Sequence, residues 1–223
     1  MNTAALIVLG LHALGDFYLQ SDKLARNKQQ QYGALAQHSL LYALSFVPLL
    51  FLAPWIVFAI LVVSHLLIDL LKFLYQKSKK RTAVLFIVDQ LCHGGVLAAV
   101  SIVYLSDYSF DPTHEFLLRI AVLLLWVAKP VSVMFTELFD RYRSNQSTGT
   151  DGAGKVIGYL ERLILAILLI VGEYGVIGWV IAAKTFARSK QLSDSQAFSE
   201  YFLVGTLTSI LATLALYFLL VQW

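Results

Sequence analysis

Long apolar runs separated by short polar stretches dominate the chain. Seven runs can be delimited, at roughly 3–20, 34–52, 55–75, 83–105, 115–138, 156–183 and 197–221. A helix of about 20 apolar residues crosses the ~30 Å hydrocarbon core of a bilayer. The pattern therefore predicts an all-α, polytopic integral membrane helical bundle of six or seven spans. Pro48 and Pro54 end the second span and start the third, which makes these two a tight helical hairpin. Asp111–Pro112 similarly precedes the fifth helix. No repeat, low-complexity tract or linker divides the chain. A single membrane domain over 1–223 is expected, with a four-helix part over 1–105 and a C-terminal helical part over 115–221. The longest polar stretch, Asp140 to Lys155, contains SNQSTGTDGAG (144–154) and reads as a mobile loop. The first run has neither a basic segment before it nor a small-residue cleavage site after it, so it reads as a span and not as a secretory signal.

Composition agrees with the pattern. Of 223 residues, 58% are hydrophobic and only 14% charged. An average soluble domain has about 25% charged residues, so a soluble fold and a disordered chain are both excluded. Cys92 is the only cysteine, which excludes a disulfide scaffold, and it reads as a small packing residue. The net charge of +3 implies no nucleic-acid partner.

Placement of the charges predicts orientation. Lys23, Arg26 and Lys28 follow span one; Lys77, Lys79, Lys80 and Arg81 follow span three; Arg141, Arg143 and Lys155 follow span five. The loop after span four carries Asp107, Asp111 and Glu115 instead, and His114 there reads as solvated. By the positive-inside rule the odd loops are cytoplasmic and the N-terminus is outside. Lys184, Arg188 and Lys190 conflict with this, because they follow span six. Segment 156–183 has Glu173 at its middle, with Gly172, Gly175 and Gly178 around it. It is either one long tilted helix or a broken, re-entrant pair that returns to the cytoplasm. Broken backbone at that depth is tolerated where it is buried in protein or lines water.

Ionisable residues inside spans are costly and mark function by default. His12–Asp16, His65–Asp69 and Asp89–His93 are all i,i+4 pairs, and on a helix each pair shares one face. The order inverts in span four, which runs opposite to spans one and three. In every pair the acid therefore lies nearer the cytoplasm and the histidine deeper. At 1.5 Å per residue these groups, with His38, fall in one slab roughly 6–15 Å below the cytoplasmic boundary. Such a set suits a divalent metal such as Zn, Mn or Fe, with His12, His38, His65 and His93 as imidazole ligands. Asp16, Asp69 and Asp89 are then ligands, orienting partners or the catalytic base. Gln20, Lys72 and Gln90 are placed to position a ligand, water or substrate head group, although the Lys72 stem is long enough to snorkel to the interface. Glu173 is a candidate relay. Glu161, Arg162 and Glu200 read as structural polar groups of the C-terminal half.

HALGDFYLQ (12–20), His38, SHLLIDLLK (64–72) and VDQLCH (88–93) together resemble an uncharacterised bacterial membrane family, domain of unknown function 3307. IGYLER (157–162), AAKTFAR (182–188) and EYFLVGTLTS (200–209) also resemble its longer members. The resemblance implies a multi-span helical protein of a bacterial inner membrane and supplies no activity. SHLLID is also similar to the His-x-x-x-Asp element of small inner-membrane proteins predicted to be metal-dependent hydrolases, which touches His65 and Asp69 alone. The Pro-Asp-x-Asp run of that group is missing here.

The leading expectation is a metal-dependent hydrolase of a lipid or another membrane-embedded substrate. The alternatives are a proton or divalent-cation transporter using the same cluster, and a non-catalytic membrane partner or scaffold. Oligomeric state is not legible in the sequence.

Overall fold

The computed structural model describes residues 3–78, 82–106, 110–139 and 152–222. Lys79, Lys80, Arg81, Asp107, Arg141, Arg143 and the 140–151 part of the expected mobile loop lie outside the described residues. Contacts divide the chain into two compact units, Met1–Val122 and Leu123–Trp223.

The first unit is built on four apolar helices. Helix α1 (Thr3–Ala13) passes into a π-helical turn, Leu14–Tyr18. A short helix α2 (Asp22–Asn27) follows, started by Ser21, whose hydroxyl accepts the Leu24 N–H at 3.1 Å. Helix α3 (Tyr32–Phe46) continues through Pro48 as a 3₁₀ turn, Val47–Phe51. Helix α4 (Trp55–Ser78) and helix α5 (Ala83–Tyr104) complete the set, and the Thr82 hydroxyl caps α5 by accepting the Leu85 N–H at 3.2 Å. Helix α1 packs on α3, α3 on α4, α4 on α5, and α5 back on α1, so the four close a ring.

Side-chain placement inverts that of a soluble protein. Leu40 is 71% exposed, Leu71 67% and Leu91 69%, whereas His12, His38, His65, Asp16, Asp69, Asp89 and His93 are all buried. Outward apolar surface on this scale needs an apolar solvent. Among the described residues, five helices are long and apolar enough to cross a membrane: Tyr32–Phe51, Trp55–Lys77, Ala83–Tyr104, Pro112–Phe139 and Gln196–Gln222. Thr3–Tyr18 and Tyr174–Ala187 are shorter apolar helices. Cys92 departs from its expected packing position, because it is exposed on the outer face of α5.

At one end of the ring lies an apolar core made by Ala4 and Val8 of α1, Tyr42, Phe46 and Leu49 of the α3 segment, Val57 and Leu61 of α4, and Leu97 and Val100 of α5. By position along each helix this core lies on the side of the histidines away from Asp16, Asp69 and Asp89.

The second unit begins within helix α6 (Pro112–Phe139) and contains α7 (Ala153–Val171), α8 (Tyr174–Ala187), α9 (Ser189–Asp194) and α10 (Gln196–Tyr217), the last running into a π turn at Phe218–Gln222. Helix α7 stops at Gly172, whose φ of 80° is left-handed and open to glycine at little cost. The Glu173 N–H reaches back to the Leu168 carbonyl at 2.9 Å, which closes a Schellman turn. Beyond it, α8 folds back so that Lys184 Nζ meets Glu161 Oε2 at 2.6 Å. In one continuous helix these two residues would stand about 34 Å apart. The single-tilted-helix alternative for 156–183 is therefore overturned, and the segment is a helical hairpin.

Arg162 braces α6. Pro130 lies within α6 and has no N–H to donate. The Arg162 guanidinium donates Nε–H to the Val127 carbonyl at 2.5 Å and Nη2–H to the Ala128 carbonyl at 3.1 Å.

Candidate metal centre

The ring α1–α3–α4–α5 brings seven sequence-predicted residues into one buried cluster. His38 is its hub. Its Nε2 lies 3.1 Å from His65 Nε2, 3.3 Å from Asp16 Oδ1 and 3.2 Å from Asp69 Oδ2. His65 Nε2 is in turn 3.7 Å from Asp69 Oδ2. A tetrahedral ion with N and O ligands at about 2.0–2.1 Å sets those ligands about 3.3–3.4 Å apart. The cluster therefore has the spacing of a coordination sphere. Two sets of three donors converge within 4.8 Å, Asp16–His38–His65 and His65–Asp69–His93, and they share His65. These are two His/Asp clusters suited to metal coordination.

Asp16 reaches across to α3, where its Oδ1 lies 3.3 Å from His38 Nε2. The π turn at Leu14–Tyr18 re-aims it toward α3. Gly15 makes the approach possible: a Cβ there would stand 2.5 Å from Ser45 Oγ and 2.9 Å from the Tyr42 ring. Gln20 donates its amide N–H to the Asp16 carbonyl and so fixes the end of the turn.

His93 shows the orientation that a ligand needs. Its Nδ1 lies 2.9 Å from the Asp89 backbone carbonyl, which can only accept. Nδ1 therefore carries the proton, and Nε2 presents a lone pair. That Nε2 is buried with no hydrogen-bond partner among the described residues. Tethering one ring nitrogen so that the other can bind is the usual arrangement of a metal-ligating histidine. His12 is buried beside these rings, with Nδ1 at 3.2 Å from the Tyr42 hydroxyl, but neither donor set includes it.

Lys72 departs from a snorkelling position. Its ammonium meets Asp89 Oδ2 at 2.7 Å. Gln90 Nε2 donates to that oxygen at 3.2 Å and to Asp16 Oδ2 at 3.3 Å. Asp89 Oδ1 is buried and has no hydrogen-bond partner among the described residues.

Two members of the cluster were not singled out from sequence. Tyr42 stacks on His65 with ring centroids 3.4 Å apart and an interplanar angle of 3°. The signal was present, since Tyr42 lies one turn from His38 on the same face of α3. Lys28 reads in sequence as one more basic loop residue. In the structure its Nζ is 2.9 Å from His38 Nε2 and 3.3 Å from both Asp16 Oδ1 and Asp69 Oδ2. Burial alone would lower the pKa of its ammonium; the Asp69 and Asp16 carboxylates more than offset this and hold it above its ordinary value. Lys28 is thus a charged donor to both carboxylates, and its ammonium also lies against His38 Nε2.

The remaining predicted residues belong to the second unit. Glu173 is exposed at the turn between α7 and α8. Glu161 pairs with Lys184, and Arg162 holds α6 carbonyls. Glu200 accepts from the Gln196 side chain at 3.0 Å within α10 and is exposed. In the acidic connection, Asp111 is paired with exposed His114, which holds its carboxyl below the usual range.

The family model described as a protein of unknown function, DUF3307, matches residues 4–119. The phrases at 157–162, 182–188 and 200–209 fall beyond that match, so the family likeness is narrower than those phrases suggest. No curated protein and no solved structure matches the chain. The matched stretch is more than half of the chain and contains every residue of the buried His/Asp cluster, and the protein therefore belongs to the DUF3307 family.

Proposed function

We propose that the protein is a metal-dependent hydrolase of the cytoplasmic membrane, acting on a lipid or another membrane-embedded substrate. The observation that carries this reading is the convergence on His38 Nε2 of three further donor atoms at 3.1–3.3 Å, those of His65, Asp16 and Asp69. His38 Nε2, Asp16 Oδ1 and Asp69 Oδ2 already gather around one positive charge, the Lys28 ammonium, which supports a site suited to a cation. Nitrogen and oxygen donors without thiolate favour Zn, Mn or Fe. Three donors per set is the number that leaves a coordination position open for chemistry.

A bound divalent ion supplies Lewis acidity and makes a water-derived nucleophile available near neutral pH. The chain's own residues supply the rest. His38, His65 and Asp16, or His65, Asp69 and His93, hold the ion. Asp89 is placed to take a proton: Lys72 and Gln90 fix Oδ2, and Oδ1 is left free to accept. Tyr42 holds the His65 ring plane by stacking.

The setting favours hydrolysis over transport. On the histidine side the cluster is backed by the apolar core of Tyr42, Phe46, Leu61, Leu97 and Val100. Among the described residues beyond it, Ser45 and Ser101 are tied to their own helices, donating to the Tyr42 and Leu97 carbonyls at 2.7 and 2.8 Å. On the other side an open notch lined by Lys28, Lys72 and Gln76 reaches Asp69. Access from one side suits a reaction site rather than a conduit.

The test is turnover of fluorescent ester and phosphodiester lipids in nanodiscs containing the purified protein, with added Zn or Mn. Metal-stimulated hydrolysis is expected. Asp89→Asn should lower turnover by about 10²–10⁴-fold while retaining the metal. Stoichiometric metal with no turnover, together with cation flux in liposomes, would overturn hydrolysis in favour of transport.

A further inference from the structure

The notch beside the metal centre is narrow and open to its surroundings, and Lys28, Asp69, Lys72, Phe73 and Gln76 line it. It contains two ammonium groups and the buried Gln76 Oε1, which has no hydrogen-bond partner among the described residues. Both ammoniums are engaged with carboxylates of the cluster, Lys28 with Asp16 and Asp69, and Lys72 with Asp89.

The Lys28 contacts conflict with a bound metal. Its Nζ lies 2.9–3.3 Å from three of the donor atoms that would coordinate an ion, so it stands in the cation position itself. An ammonium and a divalent ion cannot share those donors, because both are positive and both need the same lone pairs. Metal entry therefore requires Lys28 to withdraw. It is carried by the short helix α2 segment at the mouth and lines the notch, so the notch is where its ammonium can go.

Charge points the same way. Three carboxylates (Asp16, Asp69, Asp89) face two ammoniums (Lys28, Lys72), which leaves an excess of one negative charge between these two kinds of group. A divalent ion converts this to an excess of one positive charge. A buried site of that sign, with one lysine released and a second beside it, attracts an oxyanion.

Resting on the metal-centre reading above, we propose that Lys28 is an exchangeable internal cation. Metal displaces it from Asp16, Asp69 and His38, and with Lys72 it then forms a binding site in the notch for a phosphate oxyanion. The substrate class is thereby narrowed to one that bears a phosphate group beside the bond to be cleaved.

The experiment uses the full chain in detergent. Zn affinity is measured by competition with a chromophoric chelator, and inorganic phosphate binding by calorimetry with and without stoichiometric Zn. Wild type, Lys28→Met and Lys72→Met are compared. Lys28→Met should bind Zn at least about tenfold more tightly, having lost the competing cation. Phosphate should bind the Zn-loaded wild type, should bind at least tenfold more weakly without Zn, and should be weakened in both variants. Zn bound by wild type with equal or lower affinity in Lys28→Met overturns this proposal alone. So does phosphate affinity that is indifferent to Zn. No Zn binding by any of the three proteins overturns the metal-centre reading as well. In nanodiscs, displacement of phosphate by phosphatidic acid but not by phosphatidylcholine assigns the oxyanion to a lipid head group; retention of phosphate against phosphatidic acid assigns it to a soluble compound.

Discussion

His93 gives its Nδ1–H to the Asp89 carbonyl and keeps a buried lone pair on Nε2, whereas His12 spends Nδ1 on the Tyr42 hydroxyl and stands outside both donor sets. The four histidines are thus not equivalent, although their sequence depths made them look so. Removing His65, which both sets share, should abolish metal binding. His12→Ala should leave metal content near wild type and cost about 1–3 kcal/mol of stability through the lost buried hydrogen bond and packing. Elemental analysis paired with thermal unfolding in detergent separates the two outcomes. The i,i+4 spacing made the His65–Asp69 and Asp89–His93 pairs legible, since on a regular helix that spacing alone fixes a shared face. Lys28 was not legible, because its arrival at His38 depends on a short helix folding back over the bundle. No periodicity in a loop encodes that. Lys72 is legible only in part for a related reason: whether its long stem points to the interface or to Asp89 depends on the neighbouring helix.

Helix boundaries were read well where an apolar run ends in charge or proline, and poorly where the backbone changes its own pitch. The π turn at Leu14–Tyr18 leaves no mark on hydropathy, yet it decides which helix Asp16 serves. Gly15 is what the close approach to α3 requires. Gly15→Ala should push Ser45 and Tyr42 aside, at a cost of about 1–3 kcal/mol, and should weaken metal binding because Asp16 moves with the turn. A fall in both melting temperature and metal affinity checks this. In the second unit the charge pattern had flagged 156–183, and the left-handed Gly172 with the Glu161–Lys184 pair explains why. The hairpin returns Lys184, Arg188 and Lys190 to the end where α7 begins, so the positive-inside pattern needs no exception. A single cysteine at Lys190, in a Cys92→Ser background, should react with an impermeant maleimide in inverted vesicles and not in right-side-out ones. The opposite labelling would contradict that orientation.

The first unit places three carboxylates and four imidazoles where a bilayer would penalise them, and surrounds them with protein. Burying an incompletely neutralised cluster is costly, so a bound divalent ion should stabilise the fold as well as serve chemistry. Saturating metal at about 100 times its Kd should add about 2.7 kcal/mol, read as a higher melting temperature that a chelator reverses. The membrane class and the polar slab were legible from hydropathy and spacing, because lipid exposure and helical geometry act on every residue of a span. The division of the slab into ligands, a tethering carbonyl and an internal ammonium was not, because it arises only when four helices close a ring. The most direct measurement is the metal content of chelator-free, Zn- or Mn-reconstituted protein, compared with His65→Ala. The account predicts about one divalent ion per wild-type chain and almost none in the variant, because one residue serves both donor sets. Metal-free wild type, or equal content in the two proteins, would contradict it.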